Sequence, residues 1–286
     1  MAERLSSSVP SNVLSFPTST RSFLQPYLPD TSTPQSSLSS PRPPRPHVTL
    51  TYAASLDSAL SLAPGTQTVL SGPESKAMTH FLRSEHDAIL VGVGTAIADD
   101  PGLNCRLEGV GGYGAAGVEK QPRPIVIDPR ARWDFVHGDR RLFKTVKAGK
   151  GKAPWMIYSS SVESTTEDHK SFLESHGGLA IYLPSRPEGN QIDWGSILTA
   201  LAERGIKSIM IEGGATVVTD LLDAENAKSV DSVIVTIAPT YLGQGSSIVS
   251  PRRRTDKGGA AVPATRFQNV AWQPLGEDVV MCGNIS

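Results

Sequence analysis

The stretch Ile209-Met210-Ile211-Glu212-Gly213-Gly214-Ala215-Thr216 gives the clearest indication of how this chain folds. Its apolar residues predict a buried strand, and two glycines separate that strand from a helix that begins near Thr216. Glycines let a backbone approach a ligand closely, and free N–H groups at a helix start attract phosphate. The stretch therefore predicts either a loop for a dinucleotide pyrophosphate, although it lacks the GxGxxG pattern, or a tight turn without a ligand.

A second predicted strand ends in the same way at Val91-Gly92-Val93-Gly94, and a short helical turn follows it through Asp99. Thr95 and Asp99 are four residues apart and would share one face of that turn. Ligands of open α/β sheets bind beyond the carboxyl ends of the strands, where both glycine-bearing stretches would lie. The alternative makes Thr95 a helix N-cap and Asp99 a solvated turn residue. Two strand ends of this kind favour a ligand site.

Arginine supplies candidate phosphate ligands in the next part of the chain. Arg106 ends the segment Leu103-Asn104-Cys105-Arg106, and Arg83 ends a predicted helix before it. A guanidinium offers a planar fork of donors that matches phosphate oxygens, although isolated arginines are more often surface residues. Lys76 and His80, on the helix of Arg83, are interpreted as a solvated face. Cys105 has no neighbouring base in the sequence and is interpreted as structural.

Short β-rich runs alternate with helical patterns from residue 47 onward, which predicts one α/β domain over residues 47–286. Its sheet is expected to be largely parallel, with helices on both faces. The predicted strands are 47–53, 88–93, 125–127, 156–158, 208–211, 233–238 and 279–282, and the predicted helices are 74–84, 194–204 and 216–222. The last strand is expected to be an antiparallel edge. Residues 109–117 and 140–152 are predicted to be surface loops.

The first 46 residues are rich in serine, threonine and proline. Such a leader buries too little apolar surface to offset its ordering entropy, so most of it is predicted to be disordered. Residues 23–29 are apolar enough to dock on the domain, whereas loss of residues 1–20 is expected to leave stability nearly unchanged. Arg4 and Arg21 suggest a mitochondrial address, but Glu3 and the prolines disfavour it.

Composition excludes several classes of protein. The formal net charge is −1, which gives no electrostatic reason to expect nucleic acid or anionic membrane as a partner. The longest apolar runs are of strand length, so no membrane span is expected. The two cysteines are far apart and not in metal-ligand spacing, which predicts a reducing, cytoplasmic location and no metal site. The GxSxG, zinc-deaminase and P-loop lysine motifs are missing.

The sequence resembles the fungal and archaeal diaminohydroxyphosphoribosylamino-pyrimidine reductases, which are similar to the reductase half of the bacterial bifunctional deaminase-reductase. The resemblance rests on collinear motifs at residues 48–57, 88–106, 124–132, 209–222 and 230–243. It implies a dihydrofolate-reductase-like fold, NADPH as hydride donor and a homodimer. The implied reaction converts a ribosylamino side chain on a phosphorylated pyrimidine to a ribitylamino one.

The resemblance also assigns roles to individual residues of this chain. The implied NADPH contacts are Thr95, Asp99, Arg130 (toward the adenosine 2′-phosphate) and the loop residues Glu212, Gly213, Gly214, Ala215 and Thr216. The implied substrate contacts are Arg83, Leu103, Asn104 and Arg106. Glu212 would lie between cofactor and substrate and is the candidate general acid, with solvent as the alternative. Valine at Gly213 is expected to abolish NADPH binding without unfolding the protein.

Two departures limit what the resemblance implies. Thr51 stands where bacterial relatives carry a lysine, so a lysine-assisted mechanism does not transfer. Ser58 and Ala59 stand where relatives often have glycine and a basic residue. The rival hypotheses are a pterin reductase like dihydrofolate reductase and a non-catalytic nucleotide-binding paralogue. A pterin reductase needs an acidic residue in an early helix; Glu74 and Glu85 are available there, but the motifs that flank them do not match. The intact glycine loop disfavours the non-catalytic paralogue.

Overall fold

A computed structural model describes residues 12–30, 45–186, 191–256, 258–262, 264 and 266–285. Within these residues, strands β1 to β13 are His47–Ala54, Ala59–Ser61, Ala88–Gly92, Val110–Gly111, Gly114–Ala115, Arg123–Ile127, Trp155–Ser159, Leu179–Leu183, Ser208–Gly213, Ser232–Ile237, Ser247–Ile248, Phe267–Leu275 and Asp278–Ile285. Helices α1 to α6 are Pro73–Ser84, Val93–Asp99, Arg141–Lys147, Glu167–Ser175, Trp194–Ala202 and Ala215–Leu222.

Nine of these strands form one sheet in the order β12-β13-β10-β1-β9-β3-β6-β7-β8. The seven strands from β10 to β8 run parallel, and β13 and β12 complete the sheet antiparallel at one edge. The central strands are apolar runs because parallel strands are buried on both faces. The predicted class, an α/β fold with a mostly parallel mixed sheet, is confirmed. The edge itself is β12, so the predicted last strand lies one place inside it.

Helices cover both faces of the sheet, because side chains alternate across each strand. Val48 and Leu50 of β1 pack with residues of α5 and α6 on one face. On the other face, residues of α1 form one apolar cluster and residues of α2, α3 and α4 form a second. The result is the three-layer arrangement that the resemblance implies.

The leader packs against the helix α1 side of the domain. Leu24 and Tyr27 are buried, as expected for the segment 23–29. The docked stretch begins earlier than predicted, however, because Phe16 is also buried and stacks on Phe81 at a centroid distance of 5.4 Å. Leu14 extends this docking, donating its N–H to the Arg106 carbonyl at 2.9 Å. The expectation that residues 1–20 contribute little to stability is therefore wrong for the part containing Phe16. Residues 1–11 and 31–44 lie outside the described residues.

Several elements were not predicted from the sequence, among them the edge strand β12 and the short strands β4 and β5 within the expected loop 109–117. Residues 140–152 were expected to be a loop, but they contain α3, whose Leu142 and Phe143 are buried. Strand β8 and helix α4 complete the far end of the sheet and its cover. Of these, α3 matters for function because it borders the cavity described next.

Candidate active site

A cavity of about 970 Å³ lies where the central parallel strands end. This volume is near the upper limit for ligand pockets, roughly 300–1,000 Å³. The walls include Thr51 of β1, Val91 of β3 and Glu212 of β9. Most residues with predicted roles line it: Arg83, Thr95, Asp99, Leu103, Asn104, Arg106, Glu212, Gly214, Ala215 and Thr216. The two exceptions are Gly213 and Arg130.

The two glycine-bearing strand ends meet in the cavity wall. Gly213 and Gly214 have φ angles of +78° and +95°, a region that favours glycine. Thr95 Oγ1 donates to the Gly213 carbonyl at 3.2 Å, and a Cβ on Gly214 would lie only 2.8 Å from that hydroxyl. Thr95 lies inside α2, whose N-cap is Gly92, so the N-cap interpretation of Thr95 is wrong.

Gly213 is also a packing position. A Cβ there would lie 2.4 Å from Cγ2 of Val218, a buried residue of α6. Valine would add this clash to an unfavourable φ, so Gly213→Val is expected to lose stability as well as cofactor binding. Gly214 also has a positive φ, but it lines the cavity and the nearest atom to an added Cβ is the Thr95 hydroxyl, so a substitution there disturbs the cavity and not the core.

An ion pair joins the glycine turn to α1. Arg83 donates from Nε and Nη2 to the two carboxylate oxygens of Glu212, both at 2.6 Å, and the side chains are 13% and 17% exposed. The remaining terminal nitrogen, Nη1, donates to the Asn104 carbonyl at 2.9 Å. Although burial opposes it, the Glu212 carboxylate raises the pKa of Arg83. Arg83 thus connects the glycine turn to the segment of Leu103 and Arg106.

His80 is the site residue that the sequence interpretation misplaced. It is buried, at 4% exposure, and lines the cavity instead of facing solvent. Its Nδ1 accepts the Arg106 backbone N–H at 2.9 Å, and its Nε2 lies 3.3 Å from Nε and Nη2 of Arg106. The available signal was its position three residues before Arg83, which places both on one helix face. Lys76 is exposed, as expected, although it also borders the cavity.

The segment 103–106 is held rigidly. Asn104 donates from Nδ2 to the Tyr113 hydroxyl and to the Lys150 carbonyl, both at 2.9 Å, so this amide group holds loops together. Leu103 is buried at a φ of +46°, a conformation that costs a leucine about 1–2 kcal/mol. Such strain clusters at functional sites. Cys105 is buried, with its Sγ 3.0 Å from the His80 carbonyl, which confirms a structural position.

The loop after β6 carries two arginines. Asp128 is fully buried and accepts the Trp133 N–H at 2.9 Å, which fixes the loop between them. Arg130 is exposed and does not line the cavity, whereas Arg132 does.

The cavity is strongly basic, although the whole chain carries a formal net charge of −1. Its cationic wall residues are Lys76, Arg83, Arg106, Arg132, Arg141, Lys144 and Lys150, and its acidic ones are Asp99 and Glu212. Burial raises the pKa of Asp99. An excess of cations in a concave site concentrates anionic ligands. This cavity therefore suits ligands that carry several phosphates.

The fold and the cavity define an α/β protein with a basic cavity at the carboxyl edge of its sheet. The family model of the RibD C-terminal domain matches residues 46–281, and this chain belongs to that family. Over 269 residues it is 39% identical to the 2,5-diamino-6-ribosylamino-4(3H)-pyrimidinone 5′-phosphate reductase of Debaryomyces hansenii, covering 94% of this chain and 97% of the relative. The Saccharomyces cerevisiae enzyme of that name is 36% identical, with 92% of this chain and 94% of the relative covered.

Solved structures show the same fold. The riboflavin biosynthesis reductase Rib7 of Saccharomyces cerevisiae superposes with a TM-score of 0.69 at 31% identity, covering 93% of this chain and 99% of that one. RibD of Acinetobacter baumannii gives a TM-score of 0.63 at 22% identity, covering 85% of this chain and 58% of that one. Among the described residues, no helix is long and apolar enough to cross a membrane. The same part of the chain contains no group of three or more His, Cys, Asp or Glu placed to hold a metal ion.

Proposed function

We propose that this protein reduces the ribosylamino side chain of 2,5-diamino-6-ribosylamino-4(3H)-pyrimidinone 5′-phosphate to the ribitylamino form, an early step of riboflavin biosynthesis, with NADPH as hydride donor. The activity named for the fungal relatives supports the reaction. The observation that carries the proposal is one cavity that combines a glycine turn at a helix start with an arginine-rich wall.

The glycine turn fits the pyrophosphate of a dinucleotide. Gly214 has no Cβ between its backbone and the cavity, and α6 begins directly after it without a side-chain cap. The first N–H groups of that helix, at Ala215 and Thr216, can therefore donate to phosphate. Thr95 and Asp99 face the same cavity from α2 and would contact the same cofactor. NADPH, when bound, supplies the hydride, and the protein's task is binding, orientation and electrostatics.

The arginine side of the cavity would hold the substrate. Arg106 and Arg83 lie there with His80, and Leu103 lines the adjoining wall. Binding a remote phosphate provides interaction energy that orients the reacting end of the substrate. Fixing that end replaces a bimolecular encounter with an oriented one, which lowers the activation free energy by roughly 7–11 kcal/mol at best. Arg83 would connect this end to Glu212.

Glu212 lies between the two ends and is the candidate catalytic residue. Opening the ribose ring breaks the C1′–O4′ bond and leaves positive charge at C1′, the carbon that is then reduced. Both carboxylate oxygens of Glu212 accept N–H groups from Arg83, so the side chain offers negative charge to that carbon instead of a proton. In this scheme O4′ takes its proton from solvent, the alternative that the sequence left open.

Discrimination between NADPH and NADH would depend on the loop after β6. A 2′-phosphate needs a cation at the adenosine end, and the resemblance assigns that contact to Arg130. Arg132 lines the cavity from the same loop and is a second candidate. Alanine variants at each position, compared by the ratio of kcat/KM for NADPH to that for NADH, identify the residue that is used.

The reaction is tested by NADPH oxidation with the ribosylamino-pyrimidine phosphate that still carries both amino groups. We expect turnover with this compound and none with dihydrofolate. Turnover with dihydrofolate alone would identify a pterin reductase, and NADPH binding without turnover of either compound would identify a non-catalytic paralogue. NADH in place of NADPH is the cofactor control.

A homodimer is part of the proposal, since the C-terminal hairpin leaves an apolar surface uncovered. Trp272 of edge strand β12 is 60% exposed, and Val279 of β13 is 37% exposed beside it on the same face. Edge strands with exposed apolar side chains favour association. Light scattering of Trp272→Glu and the unmodified chain tests this surface. We also propose a cytoplasmic location, supported by two buried free cysteines, Cys105 and Cys282.

A further inference from the structure

His80 has one hydrogen-bonding arrangement that the fold determines. Its Nδ1 accepts the backbone N–H of Arg106 at 2.9 Å, and a backbone N–H can only donate. A neutral imidazole has one acceptor nitrogen and one N–H. The ring proton must therefore be on Nε2, the nitrogen that faces the Arg106 side chain.

The contact on the Nε2 side is then between donors. Nε2 lies 3.3 Å from both Nε and Nη2 of Arg106, and guanidinium nitrogens cannot accept. The Nε–H of Arg106 points at Nε2, so donors oppose each other in the wall of a cavity, and a ligand oxygen that accepts from both would resolve the contact. Protonating the ring does not resolve the contact, because it would add charge to this site. Burial, followed by the charges of Arg83 and Arg106, lowers the pKa of His80 to about 2.

We propose that His80 binds substrate directly, with its Nε2–H and the guanidinium of Arg106 donating together to the substrate's phosphate. This inference rests on the proposed function for the identity of the ligand, but the donor arrangement itself calls for a phosphate or another oxyanion. The cofactor also carries phosphates, so the same chemistry has two sources. Arg83 contacts both the Asn104 carbonyl beside this wall and the carboxylate of Glu212 at the glycine turn, so inhibition kinetics decide between the two phosphates.

Two amide substitutions separate the two nitrogens of His80. Glutamine can place its Nε2 donor near the imidazole Nε2, whereas asparagine can place an acceptor near Nδ1 but has no atom at Nε2. If His80 binds phosphate, His80→Asn should lower the affinity for inorganic phosphate at least tenfold, which is the usual cost of losing a hydrogen bond to a charged group. His80→Gln should lower this affinity much less. If His80 only holds the Arg106 backbone, the order is reversed.

Inorganic phosphate binding to the full chain, measured by calorimetry, tests the site without turnover. His86→Gln is the control, because His86 is buried on the same side but satisfies both ring nitrogens within the fold, at the Leu82 carbonyl and Thr49 Oγ1. It should leave phosphate affinity unchanged. Thermal melting of each variant confirms that it is folded.

Inhibition kinetics then identify whose phosphate is bound. Inorganic phosphate should compete with the pyrimidine substrate and not with NADPH, and His80→Asn should raise the substrate KM without changing the NADPH affinity. A substrate lacking its 5′-phosphate should be insensitive to His80→Asn. Competition with NADPH, or equal phosphate affinity in the Asn and Gln variants, overturns the inference. If the protein shows no turnover but its Asn and Gln variants bind inorganic phosphate in the expected order, the proposed function is overturned and this phosphate site remains supported.

Discussion

Replacing Phe16 by alanine tests whether the leader is part of the folded domain. Phe16 is 2% exposed and stacks on Phe81 at 5.4 Å, and its carbonyl accepts two hydrogen bonds from Arg21, at 3.1 and 2.7 Å. Truncating a buried phenylalanine costs about 3–5 kcal/mol. Because a leader can detach locally, the loss in global stability cannot exceed the free energy with which it docks. We therefore expect a loss of about 3 kcal/mol, equivalent to a fall of roughly 6–12 °C in Tm.

Urea unfolding followed by far-UV circular dichroism measures this loss. Gln25→Ala is the matched control, since Gln25 is exposed in the same docked stretch and its truncation should change the free energy of unfolding by less than about 0.5 kcal/mol. The substrate KM should rise in Phe16→Ala, because Leu14 pairs with the backbone of Arg106 and Phe81 belongs to the helix of His80. A stability within about 0.5 kcal/mol of the unmodified chain would refute this reasoning.

Three further perturbations test the site. Arg106→Ala should lower kcat/KM for the substrate about 30- to 1000-fold without changing the affinity for NADPH. Arg106→Lys should recover only part of this loss, because a point charge cannot replace the bidentate fork. An equal loss of affinity for substrate and NADPH would contradict the assignment. Gly214→Ala should weaken NADPH binding measured by fluorescence titration, because its Cβ would lie 2.8 Å from Thr95 Oγ1 at a φ of +95°, and unchanged affinity would remove the turn from the site. Acid should destabilise the protein: the pKa values of His80 and His86 fall to about 2 and about 4, so below the ordinary 6.5 only the unfolded chain takes up these protons. The contribution of these histidines to stability is complete above about pH 7.5, and the free energy of unfolding should drop by roughly 3 kcal/mol between about pH 7.5 and 5.5. A flat profile of urea-unfolding stability against pH would contradict this.

Much of the fold could be predicted from local pattern. The strand 208–211 and helix 216–222 match β9 and α6 closely, because two glycines separate an apolar run from a helical one. Hydrophobic patterns did not predict the elements that bury few residues. Strand β12 has exposed residues along most of its length, since it is an edge, and α3 is short and basic with only Leu142 and Phe143 buried. Neither element has the apolar periodicity on which prediction depends.

The sequence by itself determined the α/β class, the two glycine-bearing strand ends and the candidate arginines, since these depend on residue type and short spacing. Only the tertiary structure decided which side chains share an environment. It buried His80 between cations and paired Arg83 with Glu212, which lies 129 positions away. It also joined Leu14 to Arg106 through the backbone. The physical reason is that burial and hydrogen bonding depend on distance in space, and a linear sequence records only distance along the chain.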